Sequence, residues 1–435
     1  MWPSAAAMGN CSSAAVSTPT CGDASRKRRC RPSARRTRRR LSAPRGIFVA
    51  RTDNPTRTGS SLAALWPVFT ACFLAGLHGG AAMPLISLAL EKRGEDNLTI
   101  GVVGAVWGVG MLASTPFLPW FAQRLGTVPL ILVSVLIGAG FWVALALTDS
   151  TPAWFVICLL SGTVGAVPWV ASEIWLNMVV EERLRGRLMA AYAALMALGL
   201  ASGPLVLQVV GVYGPLPFLV CAALGLAVAL PLLLRWHDAP RIVPEAGGGF
   251  RAILIAAPLA MLAGLTSGLG EQTAFNFLPV YAVGAGTSAE TGALWLSLFV
   301  VGNIVLQWPI GWAADHMDRR LVLAACGFVC TALVLVLPAL SATSWSVVPL
   351  LLVWGGVSFA IYPVGLALLG QRFSGGDIAR ANAAFSMIYV VGGLIGRPIT
   401  GGAMDWIGPW GMGLSFAAFY ALAGVAALLA LRRAA

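Results

Sequence analysis

The chain has 435 residues, of which 58% are hydrophobic and only 11% charged. A soluble domain carries about 25% charged residues, so this composition excludes a soluble fold and calls for a bilayer, which takes about 20 apolar residues per helical span. The formal charge of +12 does not mark a nucleic-acid binder, because residues 1–57 hold thirteen Lys and Arg against Asp23 and Asp53 and leave the membrane body near neutral.

Residues 1–60 are Ser/Arg-rich and acid-poor, without an apolar run. They read as a disordered basic extension or as a translation start assigned too far upstream. A transit-like targeting peptide and a basic arm for anionic lipid or nucleic acid are the alternatives. Twelve apolar segments follow, at about 62–90, 98–121, 128–148, 152–178, 188–212, 215–236, 251–283, 291–313, 320–340, 345–370, 380–404 and 410–431. They are continuous and rich in Leu, Ala, Val and Gly, without the alternation of barrel strands. Since only helices and closed barrels span a bilayer, they predict an all-α membrane protein. After segment six comes 237–250, HDAPRIVPEAGGGF, whose two prolines and glycine triplet read as a linker between six-helix bundles at 61–236 and 251–435. Of the eight cysteines, three lie in the tail and five inside apolar runs, where they read as small buried side chains.

Loop charge sets the expected orientation. With the N-terminus cytoplasmic, the inner loops and C-terminus hold thirteen arginines, from Arg124 and Arg183 to Arg432 and Arg433, and the outer loops only Lys92 and Arg93. The positive-inside rule then puts both termini in the cytoplasm of a multi-pass inner-membrane protein. The halves also repeat at an offset of about 193 residues. Gly186-Arg187-Leu-Met-Ala-Ala-Tyr192 matches Ala379-Arg380-Ala-Asn-Ala-Ala-Phe385, Gly199 and Gly203 match Gly392 and Gly396, and Pro84 and Pro279 interrupt segments one and seven. Duplicated bundles with a site at the repeat interface are a transporter architecture.

Polar residues inside spans are expensive and therefore functional candidates. In chain order they are His78 in segment one; Trp169, Glu173 and Asn177 on one stripe of segment four; Glu271 and Asn276 in segment seven; Asn303 and Gln307 in segment eight; Tyr362 in segment ten; and Arg397 in segment eleven. A carboxyl can take up and release a proton, so Glu173 and Glu271 are the candidates for proton coupling or substrate contact. Arg397 is the candidate partner of Glu271 or of an anionic substrate. Structural readings compete: a hydrogen-bonded packing acid for either Glu, snorkelling for Arg397, a helix-packing polar group for His78, and interhelical polar contacts for the amides and Tyr362. No nucleotide-binding loop, nucleophile–base motif or metal-ligand cluster occurs, so neither a cofactor nor an enzyme activity is expected.

The loop after segment eight reads Gly311-Trp-Ala-Ala-Asp315-His316-Met-Asp318-Arg319-Arg320, and the loop after segment two carries a weaker copy with Gln123, Arg124 and Gly126. The spacing Gly311-xxx-Asp315-xxx-Arg319-Arg320 resembles the cytoplasmic-loop signature of the major facilitator superfamily. Glu173, Arg185–Tyr192, Gln307–Gly311 and Tyr362-Pro363 look like its YcaD-like bacterial branch, which is similar to proton-linked efflux carriers. The resemblance covers about residues 62–432. It implies alternating access to a cavity lined chiefly by helices 1, 4, 7 and 10, and the expected function is proton-coupled efflux of a small molecule, as an antiporter, by a monomer. In this reading Gly311 lets two helices approach and Asp315 pairs with Arg319 and Arg320 as an inner gate latch. The alternatives are an uptake symporter and a transport-inactive sensor or scaffold.

Overall fold

The computed structural model describes residues 66–179, 182–234, 250–373 and 376–433, except the side chains of 119, 169–179, 182–186, 250–252, 376 and 379. The tail, most of the linker, and the side chains of Trp169, Glu173 and Asn177 therefore lie outside the described residues. The spanning helices are α1 Trp66–Lys92, α2 Asn97–Ser114, α3 Thr127–Leu147, α4 Thr151–Val179, α5 Glu182–Val210, and α6 Leu216–Ala227 continued by Ala229–Leu233. The second half holds α7, which runs through Pro258–Ser267, Gly268–Gln272 and Thr273–Gly284, then α8 Ala289–His316, α9 Arg319–Val336, α10 Val347–Gly370, α11 Gly376–Ile407 and α12 Trp410–Arg432.

Among the described residues, eleven helices are long and apolar enough to cross a membrane. The seventh segment, expected as one span over 251–283, is the exception, and two local features break it. Ala257 leaves the helical region (φ −133°, ψ 59°) ahead of Pro258, as residues before proline do. Gly268–Gln272 then forms a π turn, a device that inserts an extra residue and often marks a functional site.

The sequence repeat is realised as one helix crossing made twice. A Cβ on Gly199 would lie 2.3 Å from the Phe73 carbonyl oxygen, and one on Gly392 would lie 2.3 Å from that of Leu265. Bare glycines thus bring α5 onto α1 and α11 onto α7 at backbone distance. In the second half, Trp354, Phe299, Phe416 and Tyr420 form an aromatic core. The buried Tyr420 hydroxyl is satisfied there by Ser358 Oγ at 2.7 Å and Trp354 Nε1 at 3.3 Å. Exposed tryptophans gather at both ends of the helices, with Trp345, Trp406 and Trp410 at one and Trp66, Trp120 and Trp312 at the other, as in membrane-interface belts.

The halves meet along α2 with α11 and α5 with α8, and the hydrogen bonds between them sit towards one end. Asp405, at the end of α11, accepts from Asn97 N at 2.9 Å, Asn97 Nδ2 at 2.8 Å and Leu98 N at 2.8 Å. A carboxylate on the free amides of a helix N-terminus is a favourable pairing. Ser297 donates to the Ala201 carbonyl at 2.7 Å, and Asn276 Nδ2 to that of Ile100 at 3.3 Å. A Cβ on Gly101 would lie 2.5 Å from the Arg397 carbonyl oxygen, and one on Gly401 would lie 2.2 Å from that of Asn97. Among the described residues, no hydrogen bond joins the halves at the opposite, arginine-rich end.

Candidate functional site

Behind this seal lies a cavity of about 420 Å³, walled chiefly by α1 to α4 and reached by α7 and α11 of the other half. Its walls are mostly apolar, with Met83, Ile86, Trp107, Met111, Phe141, Trp142 and Phe275 prominent. The polar groups are few: His78, Ser134, Ser161, Gln272, Asn276, Tyr389 and Arg397. Expected lining from helix ten is missing among the described residues, while α2, α3 and α11 contribute. Two glycines of α4 explain the part played by α2. A Cβ on Gly162 would lie 2.0 Å from the Trp107 carbonyl oxygen, and Gly165 leaves room for the Trp107 ring.

The π turn sorts neighbouring side chains to different sides. Gln272 and Asn276 line the cavity, whereas Glu271 does not. Glu271 is buried at 3% exposure inside the second half. Its Oε2 accepts from the Tyr389 hydroxyl at 3.1 Å, and its Oε1 has no partner. Tyr389 touches both the acid and the cavity. Glycines make this packing possible. A Cβ on Gly268 would meet the Tyr389 carbonyl oxygen at 1.9 Å, and one on Gly270 would meet the Tyr420 hydroxyl at 2.3 Å.

Arg397 is also 3% exposed. It donates through Nε to the Gln272 carbonyl at 3.2 Å, through Nη2 to Gln272 Oε1 at 2.6 Å, and through Nη1 to the Gly104 carbonyl of the other half at 2.9 Å. The expected Arg397–Glu271 pair is therefore corrected. Arg397 and the carboxyl are held by separate partners on the same helix face, because the π turn sets Glu271 against Tyr389 and Gln272 against Arg397, two turns further along α11. Arg397 does not snorkel outward but crosses the interface between halves.

The other candidates divide. His78 lines the cavity, with Nδ1 3.0 Å from the Cys221 carbonyl and its ring edge-on to Trp142 at 5.5 Å. That hydrogen bond places the proton on Nδ1 and leaves Nε2 an acceptor in the neutral ring. Asn276 lines the cavity and supports the seal. Asn303 and Gln307, half-buried and exposed on α8, are not among the lining residues. Tyr362 packs on Tyr389 at 5.2 Å and meets the exposed Ser386 at 3.3 Å, and is not among the lining residues.

The loop signature also departs from expectation. Among the described residues neither Arg319 nor Arg320 pairs with Asp315. Arg319 donates to the Ala367 carbonyl and Arg320 to that of Ala430, so both tie down helix C-termini within their own half. Such termini carry unpaired carbonyls. Asp318 caps α9 through the Arg320 amide at 2.8 Å. Among the described residues nothing lies within 4 Å of a Cβ built on Gly311, so it makes no close helix crossing with them. In the first-half copy, Arg124 stacks on Trp120 at 4.2 Å, and Gly126 takes φ +88° to turn the chain, a conformation that favours glycine.

Two residues that matter carried weak sequence signals. Tyr389, Gly393 and Arg397 recur at a spacing of four and share a face of α11, which the pattern alone contains. Asp405 lies beyond the apolar core of its segment and looks like an ordinary loop acid.

A helical membrane body with a mostly apolar cavity at the junction of two repeated halves defines a small-molecule transporter. The profile of the Major Facilitator Superfamily matches residues 68–355 and 260–435, and the chain belongs to that superfamily. It is 28% identical over 280 residues to the uncharacterised transporter YfkF of Bacillus subtilis, covering 61% of this chain and 70% of YfkF. It is 27% identical over 325 residues to YcaD of Escherichia fergusonii, covering 73% of this chain and 82% of YcaD. The nucleoside transporter NupG shares its fold, with a TM-score of 0.69 at 15% identity over 84% of this chain and 98% of NupG. A bacterial Spinster homologue in an inward-facing, occupied state aligns with a TM-score of 0.66 at 14% identity over 85% of this chain and 96% of its own.

Proposed function

We propose that the protein is a proton-coupled secondary transporter that exports a small molecule by alternating access, with Glu271 as the coupling acid. The observation that carries the reading is the Glu271–Tyr389 pair. A carboxyl near the middle of a span costs about 2.5–3.5 kcal/mol on insertion scales, yet Glu271 is buried with one oxygen unpartnered and with Tyr389 linking it to the cavity. Glu173, on α4, is a second candidate acid. Export is the proposed direction on two grounds: the resemblance to proton-linked efflux carriers, and an apolar wall suited to molecules that partition into a bilayer. The arginine bias of the loops supports cytoplasmic termini and a cytoplasmic 237–250 linker in an inner-membrane protein, working as a monomer built of two bundles.

A thermal-shift screen against metabolites and antibiotics supplies a ligand for proteoliposome flux. Glu271→Gln keeps shape and hydrogen bonding but removes the titration. It is expected to abolish accumulation driven by a pH gradient while ligand exchange without a gradient continues. Wild-type accumulation by this variant at all pH values contradicts the assignment.

A further inference from the structure

The buried cation in the cavity wall has no counter-charge, and that absence points to the ligand. Arg397 faces the cavity with three partners, all of them neutral carbonyl or amide oxygens. Removing a guanidinium from water without an anion is costly. The described acids on this side of the molecule are committed elsewhere: Glu271, beside Gln272 in the chain, to Tyr389, Asp405 to the α2 amides, Asp96 to Thr99 and Glu95 to Thr151. Glu173 lies twenty-two residues from the Thr151 end of α4, and Arg397 ten from the Ile407 end of α11. At 1.5 Å per residue that is roughly 18 Å apart in depth. No Asp or Glu lines the cavity among the described residues.

We propose that the cavity receives an amphipathic organic anion, with its charged group on Arg397 and its aromatic or branched apolar body against Trp107, Phe275 and Met83. This deepens the transport reading and rests on it in taking the cavity as the transport site. A volume of about 420 Å³ falls in the usual range for small-molecule sites. The guanidinium uses three of its five N–H donors on protein, which leaves two for a carboxylate or sulfonate. Gln272 Oε1 and the Gly104 carbonyl are neutral acceptors, and a charged oxygen competes with them favourably because it adds charge–charge attraction, and a bidentate geometry, that neutral carbonyls do not offer. The Gly104 bond joins the two halves, so an arriving anion also loosens one tie of the seal.

The test uses the full-length protein in nanodiscs and three matched probes: naphthoate, methyl naphthoate and naphthylmethylamine. Binding is read by tryptophan fluorescence, with Trp107 and Trp142 in the wall as reporters. Naphthoate is expected to bind about tenfold or more tightly than the ester or the amine, the size of one charged hydrogen bond. Arg397→Gln should bring naphthoate down to the affinity of the ester and leave the ester unchanged. Gln272→Glu retains the guanidinium but supplies an internal counter-charge, and should erase the same preference. Should Arg397→Gln fail to fold, this second variant decides. The proposal is overturned if the ester or amine binds as tightly as naphthoate, if no probe binds, or if the folded variants keep the preference. Naphthoate bound tightly at Arg397 but never moved across proteoliposomes would sink the transport reading and leave the anion site standing. Gradient-driven flux of a neutral or cationic substrate, with no naphthoate binding, would do the reverse.

Discussion

Glu271 and Arg397 sit on facing helices with different direct partners, Tyr389 for one and Gln272 and the Gly104 carbonyl for the other, and are joined only through the contact of Tyr389 with the Gln272 side chain. Coupling relayed through two neutral side chains is expected to be weaker than coupling across a direct ion pair. Neutralising the acid should therefore not repair the loss of the cation. In a double-mutant cycle read by ligand binding, Glu271→Gln is expected to leave the Arg397→Gln defect as it is. Partial rescue would show that the two charges sense each other directly. Both residues were legible in the sequence, because a charge within an apolar run is rare and expensive. Their partnership was not. The π turn at Gly268–Gln272 shifts the helical register, so a face drawn with a constant period puts Glu271 where Gln272 stands. Tyr389 was missed because a tyrosine in a span is unremarkable until its hydroxyl is seen on a buried carboxyl.

Close helix crossings held by glycine form the working parts at the scale of elements. The α1–α5 and α7–α11 crossings were foreshadowed by the repeat of Gly199 and Gly203 as Gly392 and Gly396. The α2–α11 crossing that closes one end left no such trace, because the repeat offset carries Gly101 onto Leu294 and Gly401 onto Gln208 rather than onto glycines. There, Gly101 and Gly401 leave room for opposing backbone rather than for flexible side chains. An added methyl group has no space, and overpacking costs about 1–3 kcal/mol. Gly101→Ala or Gly401→Ala should thus weaken the sealed form. The expected result is a faster reaction of a Val390→Cys cysteine with a membrane-impermeant thiol reagent applied from the Asp405 end, by about tenfold for a cost of about 1.4 kcal/mol. An unchanged rate would mean that the crossing does not gate access. The loop signature taught the opposite lesson. Its spacing was plain in the sequence, but in this conformer Arg319 and Arg320 bind helix-end carbonyls and Asp315 takes no part.

For the whole molecule, composition and loop charge were enough to give a twelve-segment helical membrane protein, because the bilayer restricts a chain to so few forms. They could not reveal the broken seventh segment or a cavity set mainly in the first half, since both depend on how glycine faces meet in space. The proposed orientation makes a direct demand: a reporter fused after Ala435 should be active only in its cytoplasmic form. Activity of a periplasm-dependent reporter there would reverse the topology.

In the proposed function the two halves alternate about the cavity, and distances at both ends test this without knowledge of the substrate. Spin-label pairs at Ser150→Cys with Trp406→Cys, and at Gln123→Cys with Met317→Cys, report the two ends. For labelling, Cys11, Cys21 and Cys30 are first mutated to serine; the five span cysteines are buried. Lowering the pH or adding a bound ligand should lengthen the 150–406 distance and shorten the 123–317 distance together, as one end opens and the other closes. Unchanged, single distance distributions at both ends, at every pH and with every ligand that binds, would contradict alternating access.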